Sequence, residues 1–279
     1  MTEGRTILAG EQALLSCLDG VRRAPRAAAL FCDIDGTISP IAGRPMDAFV
    51  PESFLEVLRG LVARLGAVSF VTGRAVEDGR RMVGVEGAAY VGTHGLEIMD
   101  VDGSVRTEPQ AERHVEVVQE IAALATAELD GVVAGVVLEN KRTVLAIHYR
   151  LAPDPERARH EIVTRVVDPA RARGLAISTG HFLVEVRPPV AVTKGSATRR
   201  LLGEDDFLAA VFCGDDLTDV TWFEAIHRWA DADARRLACA VAAVTKETPR
   251  PVIDESDVRV AATPGMCEVL RRLLTAAGG

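Results

Sequence analysis

The chain has 279 residues, 48% of them hydrophobic and 26% charged, which is typical of a globular protein with one large core or two smaller ones. Its net charge of −8 argues against a nucleic-acid-binding surface, where a basic stripe is expected. The longest apolar runs, 131–138 and 237–244, are too short to span a membrane. From the charge and the apolar runs together, we expect neither a nucleic acid nor a membrane as a partner.

The first predicted elements are a helix over 6–21 and a buried strand over 28–32. The strand leads into D-I-D-G-T, in which Asp33 and Asp35 are two residues apart and therefore point the same way on extended backbone. A simple Asp-Gly turn is the alternative explanation. Because four specified residues in this pattern are rare by chance, we interpret the two carboxylates as part of a functional site.

Two strand-and-helix units follow. A helix over 54–65 leads to a strand over 67–71 that ends in T-G-R, and a short helix leads to a strand over 88–91 that ends in G-T-H-G. This alternation predicts right-handed parallel β-α-β units. Ligands of such sheets bind beyond the carboxyl ends of the strands, which is where Asp33, Thr72 and His94 are expected.

The pattern changes after residue 96, where an inserted α+β block is predicted. Its elements are a hairpin over 96–108, a helix over 110–129, strands over 132–138 and 143–149, a helix over 155–173, and strands over 175–178 and 182–186. Pro188 and Pro189 form a stiff connection at the end of this block. We therefore predict a discontinuous α/β core, residues 1–103 and 189–279, and an inserted cap domain, residues 104–188.

The alternation of helices and strands resumes at Lys194. A helix over 195–202 and a strand over 208–213 lead into G-D-D-L-T-D, and a helix, strands over 237–244 and 258–262 and a last helix from Pro264 complete the chain. The motif residues Asp215, Asp216 and Asp219 should then lie near Asp33. At an effective dielectric constant of about 20, each pair of carboxylates at ~4 Å costs about 4 kcal/mol, so a phosphate could approach only with a cation. Mg²⁺ is the natural choice, because it prefers a few carboxylates and a substrate phosphate as ligands.

These motifs, in this order, resemble those of the haloacid-dehalogenase-like (HAD) phosphotransferase superfamily. Within it, the blocks G-T-H-G-L-E (92–97), L-E-N-K-R (138–142), H-Y-R (148–150) and V-E-V-R-P (184–188) are similar to those of the trehalose-6-phosphate phosphatases. The resemblance extends from about Phe31 to Asp219. It implies a HAD-like, Rossmann-type parallel-sheet core with an inserted α+β cap that selects the sugar.

The resemblance also implies roles for the core residues. Asp33 would be the nucleophile, and Asp35 the acid and base. Thr72 and Lys194 would hold the transferring phosphoryl oxygens. Asp33, Asp35 (through its main-chain carbonyl) and Asp215 would hold Mg²⁺, while Asp219 would orient Lys194 or a metal-bound water. The implied substrate-binding residues are Gly73, Arg74, His94, Glu139, Lys141, Arg142, Glu185 and Arg187.

Several of these residues have simpler explanations that the sequence leaves open. Thr72 is equally compatible with a helix N-cap, and Asp216 is better explained as a residue that stabilises a helix N-terminus. His94 is equally compatible with a hydrogen-bonded loop histidine. The cap residues are compatible with a solvated hairpin tip and an exposed strand face.

The implied activity is a Mg²⁺-dependent hydrolysis of trehalose 6-phosphate, a small-molecule sugar phosphate, through an aspartyl-phosphate. One departure bears on the substrate: the family usually has Glu after G-D-D-x-T-D, and this chain has Val220. An aminocyclitol (validoxylamine-type) pseudo-disaccharide phosphate is therefore an alternative substrate. A mutase or phosphotransferase on the same fold and a non-catalytic sugar-phosphate-binding regulator are further alternatives.

Cysteine usage and the N-terminus bear on the compartment. The five cysteines are scattered singly without a C-x-x-C pair, and residues 1–30 include acidic side chains and lack the apolar centre of a secretion signal. We therefore expect a cytoplasmic protein. The sequence does not determine the oligomeric state, for which a monomer is the default expectation.

Overall fold

A computed structural model describes residues 7–42, 45–180, 182–203 and 206–279. The chain divides into two compact units. The first comprises the residues up to Arg106 together with Val192–Gly279, and the second comprises Thr107–Ala191. None of the helices in the described ranges is long and apolar enough to cross a membrane.

Thirteen strands are described. In chain order they are β1 (Ile7–Ala9), β2 (Ala28–Cys32), β3 (Ala67–Val71), β4 (Ala89–Gly92), β5 (Glu97–Met99), β6 (Val105–Thr107), β7 (Val137–Asn140), β8 (Leu145–His148), β9 (Ala176–Gly180), β10 (Leu183–Arg187), β11 (Ala209–Gly214), β12 (Leu237–Val244) and β13 (Val258–Ala261).

Eleven α-helices are described. They are α1 (Glu11–Arg23), α2 (Glu52–Val62), α3 (Val76–Val83), α4 (Pro109–Glu112), α5 (Val115–Leu129), α6 (Pro155–Ile162), α7 (Asp168–Ala172), α8 (Lys194–Gly203), α9 (Leu217–Asp231), α10 (Arg250–Glu255) and α11 (Ala262–Ala276). A π-helical turn, Val163–Val167, joins α6 to α7.

The first unit is built on a nine-stranded sheet in the order β1-β13-β12-β11-β2-β3-β4-β5-β6. Neighbouring strands from β13 to β4 run parallel, and β1 and β5 are added antiparallel. This mostly parallel sheet confirms the predicted α/β class. Alternate residues of β2 face opposite layers: Leu30 and Cys32 join one apolar cluster, and Ala29 and Phe31 join the other. Both faces of the sheet are therefore buried, as in other parallel sheets.

The sheet brings the predicted motifs, with their acidic residues, to one edge, which we call the acidic edge. Asp33 follows β2, Thr72 follows β3, Thr93 follows β4 and Asp215 follows β11. Because β11, β2, β3 and β4 are adjacent and parallel, their carboxyl ends open on the same side.

The second unit contains a four-stranded antiparallel sheet in the order β7-β8-β10-β9. One face of this sheet packs on α5, α6 and α7 through a core that includes Ile121, Leu145, Ile147, Val184 and Val186. The alternate residues, which include Glu139 and Glu185, lie on the other face. The inserted α+β block is thus a helix layer on one side of an antiparallel sheet.

The structure differs from the sequence-based prediction at the N-terminus. The predicted helix over 6–21 includes Leu8, but residues 7–9 form β1, which pairs with β13, and the helix begins at Glu11. Residue 6 lies outside the described residues. Further along, the predicted strand over 132–138 begins only at Val137, and α10 was not predicted.

All five cysteines are buried as free thiols. Cys32 and Cys213 are register partners in the neighbouring parallel strands β2 and β11, and each directly precedes a motif of the acidic edge. Their burial in the first apolar cluster agrees with the prediction that they serve as small core residues.

Candidate active site

Lys194 lies between two carboxylates at the carboxyl edge of the large sheet. Its Nζ donates to Oδ1 of Asp33 at 2.5 Å and to Oδ1 of Asp219 at 2.8 Å. The side chains of all three residues are at least nine-tenths buried. Lys194 is the first residue of α8, the position that the sequence suggested, but it is buried there and not solvated as an isolated helix-start lysine would be.

Asp219 ties the acidic loop to the lysine. Its Oδ2 accepts hydrogen bonds from the backbone N–H groups of Asp215 (2.9 Å) and Asp216 (3.1 Å), while its Oδ1 accepts from Lys194. Asp216 is the N-cap of α9 and completes a capping box with Asp219, as its simpler interpretation predicted. Asp219 therefore links the acidic loop to Lys194 through these hydrogen bonds.

Asp215 completes the acidic cluster. One carboxylate oxygen from each of Asp33, Asp215 and Asp219 lies within 4.8 Å of the others. Oδ1 of Asp215 also accepts from the Thr37 hydroxyl at 3.0 Å. At Gly36, where φ is +81°, a Cβ atom would lie 2.0 Å from Oδ2 of Asp215, so only glycine allows this close approach.

The electrostatics of the cluster follow from one ammonium group among several carboxylates. Burial, reinforced by the neighbouring acids, raises the pKa of Asp33 well above its usual range and that of Asp215 to about 8. Burial acts to lower the pKa of Lys194, but Asp219 and Asp33 outweigh it and raise that pKa. Burial is thus the main cause for the two acids, whereas the neighbouring carboxylates are the cause for Lys194. The cluster therefore favours an added cation.

Asp35 occupies a different environment from Asp33. Arg74 donates from Nε to Oδ2 and from Nη2 to Oδ1 of Asp35, both at 2.7 Å. This bidentate pair links the loop after β2 to the loop after β3. The Asp35 side chain is 38% exposed, so it lies at the opening of the site and not within the buried cluster.

Thr72 and His94 lie in two loops that are hydrogen-bonded to each other. The Thr72 hydroxyl accepts from the backbone N–H of Arg74 at 3.1 Å, and the N-cap of α3 is Ala75, so Thr72 is not the N-cap of that helix. The backbone N–H of His94 donates to the Thr72 carbonyl at 3.1 Å. A Cβ atom at Gly73 would lie 2.6 Å from Nε2 of His94, so the imidazole rests directly on this glycine.

The second unit carries a separate polar cluster on one face of its sheet. Lys141, 7% exposed, forms ion pairs with Glu185 at 3.3 Å and Glu139 at 3.8 Å. Two residues that were not predicted join it: His148 contacts Glu139 at 3.0 Å, and the Ser178 hydroxyl donates to Glu185 at 3.2 Å. Cross-strand register explains their place, because Ser178 is the register partner of Glu185 and His148 follows the partner of Glu139 by two residues.

The remaining predicted cap residues, Arg142 and Arg187, lie in the turn between β7 and β8 and at the end of β10. Arg187 is the last residue of β10, paired in register with Ala176. Arg142 has a positive φ of 63° and points its guanidinium to Glu112 and to the Thr107 hydroxyl. Its predicted contact with a substrate therefore competes with an ion pair inside the second unit.

The model of one protein family, the trehalose-phosphatases, matches residues 31–260 of the chain. The chain belongs to this family. The match covers every motif of the acidic edge and the whole second unit. The resemblance recognised in the motifs is thereby confirmed.

Individual relatives agree with the family assignment. A probable trehalose-phosphate phosphatase of Sinorhizobium fredii is 35% identical over 203 residues, covering 72% of this chain and 74% of its own length. An uncharacterised glycosyl hydrolase of Mycobacterium tuberculosis is 36% identical over 211 residues, 72% of this chain, but the chain spans only 15% of that protein. A trehalose-phosphate phosphatase of Mycobacterium avium is 34% identical over 77% of this chain, and this chain spans 55% of its length.

A solved structure shows the same fold. The crystal structure of a trehalose-6-phosphate phosphatase related protein superposes with a TM-score of 0.74 over 88% of this chain and 97% of its own, at 24% identity. The HAD-like core with an inserted cap is therefore confirmed as the fold of this family member.

Proposed function

We propose that the chain is a metal-dependent phosphatase that hydrolyses trehalose 6-phosphate through an aspartyl-phosphate. The observation that carries this proposal is the placement of Lys194 against Asp33, beside Asp215 and Asp219, in a member of the trehalose-phosphatase family. Binding alone needs no buried nucleophile with a second carboxylate two residues away. The non-catalytic regulator is therefore the weaker alternative.

The residues present fit a hard divalent cation such as Mg²⁺. The donors are carboxylate oxygens. Burial, reinforced by the neighbouring acids, raises the pKa values of Asp33 and Asp215, and a cation would favour the ionised form of both groups. Asp219 already accepts three hydrogen bonds, so Asp33 and Asp215 are better placed as ligands, with the Asp35 main-chain carbonyl as a third. When bound, the ion supplies charge stabilisation to the phosphoryl oxygens and keeps both carboxylates ionised.

In the first step, an Asp33 carboxylate oxygen attacks phosphorus, and the bond from phosphorus to the sugar oxygen breaks. Asp35 gives its proton to that oxygen, so neutral trehalose leaves. Oδ1 of Asp33 accepts from Lys194, while Oδ2 accepts no hydrogen bond from any residue in the described ranges and is the oxygen placed to attack.

In the second step, water attacks the phosphorus of the aspartyl-phosphate and transfers a proton to Asp35. The bond to Asp33 breaks, inorganic phosphate leaves, and both carboxyl groups return to their starting states. Lys194 and the Thr72 hydroxyl proton, which is not used by the contact with Arg74, would stabilise the phosphoryl oxygens in both steps.

Recognition of the sugar is proposed for the polar face of the second unit. Glu139, Lys141 and Glu185 form a preformed set of charged donors and acceptors, which suits a ligand rich in hydroxyl groups. His94, Gly73 and Arg74 at the first unit's edge, with Arg142 and Arg187, complete the proposed substrate-binding set.

A phosphate-release screen tests the proposal. The substrates are trehalose 6-phosphate, sucrose 6-phosphate, glucose 6-phosphate and a validoxylamine-type pseudo-disaccharide phosphate, each with Mg²⁺ and with excess chelator. We expect release from trehalose 6-phosphate that chelation stops. Release from the pseudo-disaccharide phosphate alone would instead favour the alternative raised by Val220, and transfer of phosphate to a second sugar would favour a phosphotransferase.

A further inference from the structure

Trp222 lies beneath Lys194, although neither the motifs nor the proposed mechanism uses it. It is fully buried in α9, and the Lys194 Nζ lies 5.7 Å from the centroid of its ring. That separation is within the range of a cation–π contact, in which the negative face of the indole attracts the ammonium group. Trp222 follows Asp219 by three residues, so both side chains lie on the same face of the helix.

Two further rings hold Trp222 in place. Phe212 packs against it edge-to-face at a centroid distance of 4.9 Å, and Phe31 does so at 6.5 Å. Phe31 comes two residues before Asp33, and Phe212 three before Asp215. The strands that carry the acidic residues therefore also carry the rings that fix the indole.

The polar end of the indole is not the reason for a tryptophan at this position. Among the residues that the structure describes, none accepts a hydrogen bond from its buried Nε1–H. A buried donor without an acceptor is destabilising, and phenylalanine would fill much of the same space without it. What tryptophan adds is the ring face with the strongest attraction for a cation.

We propose that Trp222 is a positioning residue for Lys194, and that its ring face directs the ammonium group toward the phosphoryl oxygens. Two N–H bonds of the ammonium group point to Asp33 and Asp219, so the third is left for the substrate. The indole face beside the ammonium group restricts the direction of this third bond. The inference rests on the proposed phosphatase activity and adds a residue to it.

The test uses a graded change in the ring that keeps its shape. The chain has two tryptophans, so Trp229→Phe leaves Trp222 alone and also serves as a matched control, because Trp229 has its own cation–π contact with Arg236 at 4.8 Å. Trp222 is then replaced biosynthetically by mono-, di- and trifluorotryptophan, which progressively weaken the negative ring face. Phosphate release from trehalose 6-phosphate and thermal unfolding are measured for each protein.

We expect kcat to fall step by step along the fluorine series, by about two- to tenfold in total, with little change in KM or in Tm. Trp229→Phe alone should keep wild-type kcat. A flat kcat series in a protein that releases phosphate normally would overturn the role of Trp222 only. No release from any sugar phosphate, even with natural tryptophan, would overturn the proposed function together with this inference.

A second measurement tests the contact without turnover. In the Trp229→Phe protein, Lys194→Met removes the charge above the only indole. We expect the emission maximum of Trp222 to shift, while the Tm reports whether the variant is folded. An unchanged emission spectrum in a folded variant would contradict the contact between the ammonium group and the ring.

Discussion

Both carboxylate oxygens of Asp35 accept hydrogen bonds from the guanidinium of Arg74, each at 2.7 Å. A carboxylate held in this way is oriented, but it must release at least one oxygen before it can exchange a proton with a substrate. Arg74 is therefore expected to act through Asp35 as well as through any contact with phosphate.

Replacing Arg74 by alanine should lower kcat for a sugar phosphate by about 10- to 100-fold, because the acid and base lose their orienting partner. The loss should be smaller for p-nitrophenyl phosphate, whose leaving group needs no proton. Arg59→Ala, which breaks an exposed ion pair with Glu52 on α2, is the control and should change neither rate. A loss on p-nitrophenyl phosphate that exceeds the loss on the sugar phosphate would contradict the action of Arg74 through Asp35.

Asp33→Asn should reduce phosphate release by at least about a thousandfold, because the amide cannot attack phosphorus. The fold should persist, since the change removes one of three crowded acidic groups. Circular dichroism and thermal unfolding check the fold, and Asp78→Asn on the surface of α3 is the matched control. Substantial turnover by the folded Asp33→Asn variant would refute the nucleophile assignment.

Two glycine variants separate backbone strain from a clash with Asp215. Gly36 and Gly84 both have positive φ, of 81° and 61°, so alanine at either position costs about 1–2 kcal/mol of stability. Only at Gly36 would the new Cβ atom meet Asp215, whereas nothing lies within 4 Å at Gly84. Gly36→Ala should therefore also lose Mg²⁺ affinity, measured by calorimetry, while Gly84→Ala should keep it. Similar Mg²⁺ affinities in the two variants would contradict the role of this contact.

The raised pKa of Asp215 makes the metal-free protein less stable at higher pH. Burial and nearby acids raise this pKa to about 8, against about 3.9 in an unfolded chain. The folded state binds this proton more tightly, so the contribution of Asp215 to stability is lost as the pH rises from about 4 to about 8. Asp215→Asn should remove this dependence.

The measurement is denaturant unfolding in chelator, at several pH values between about 5 and 8, for the wild type and Asp215→Asn. The wild type should lose stability relative to the variant as the pH rises. Mg²⁺ should restore the wild type at the upper end and have less effect on the variant. A difference between the two proteins that is independent of pH would contradict the assigned pKa shift.

For the second unit, Glu139→Ala and Arg187→Ala should each weaken the affinity for trehalose 6-phosphate about tenfold or more, as KM or as Kd measured on the Asp33→Asn protein. The effect on p-nitrophenyl phosphate should be small, because that ester carries no sugar hydroxyls. Arg157→Ala, on the exposed side of α6, is the matched control. Equal losses on both substrates would remove the sugar-binding role from this face.

The core of the site was predictable because its signals are local. Strand bounds such as Ala28–Cys32, Ala67–Val71 and Leu237–Val244 follow from short apolar runs, and they agree with the structure residue for residue. The parallel order of the strands then determined that Asp33, Thr72 and Asp215 would share an edge.

Features that depend on distant partners were not predictable. Leu8 fits a helical period, but its strand β1 pairs with β13, some 250 residues away in sequence. The pairing of Arg74 with Asp35 and the place of Trp222 under Lys194 depend on side-chain directions between separate elements. His148 and Ser178 could have been inferred from strand register, once Glu139 and Glu185 had been assigned to one face.

The burial of all five thiols gives the protein a set of internal reporters. Cys17 lies in α1, Cys267 in α11, and Cys32, Cys213 and Cys239 in the central strands, so together they sample the helix layer and the sheet. An alkylating reagent reaches each thiol only when its segment opens, and the labelling rate then measures the free energy of that opening. The labelling rates of the five natural thiols would therefore show whether a ligand at the acidic edge stabilises the strands or the helices of the first unit.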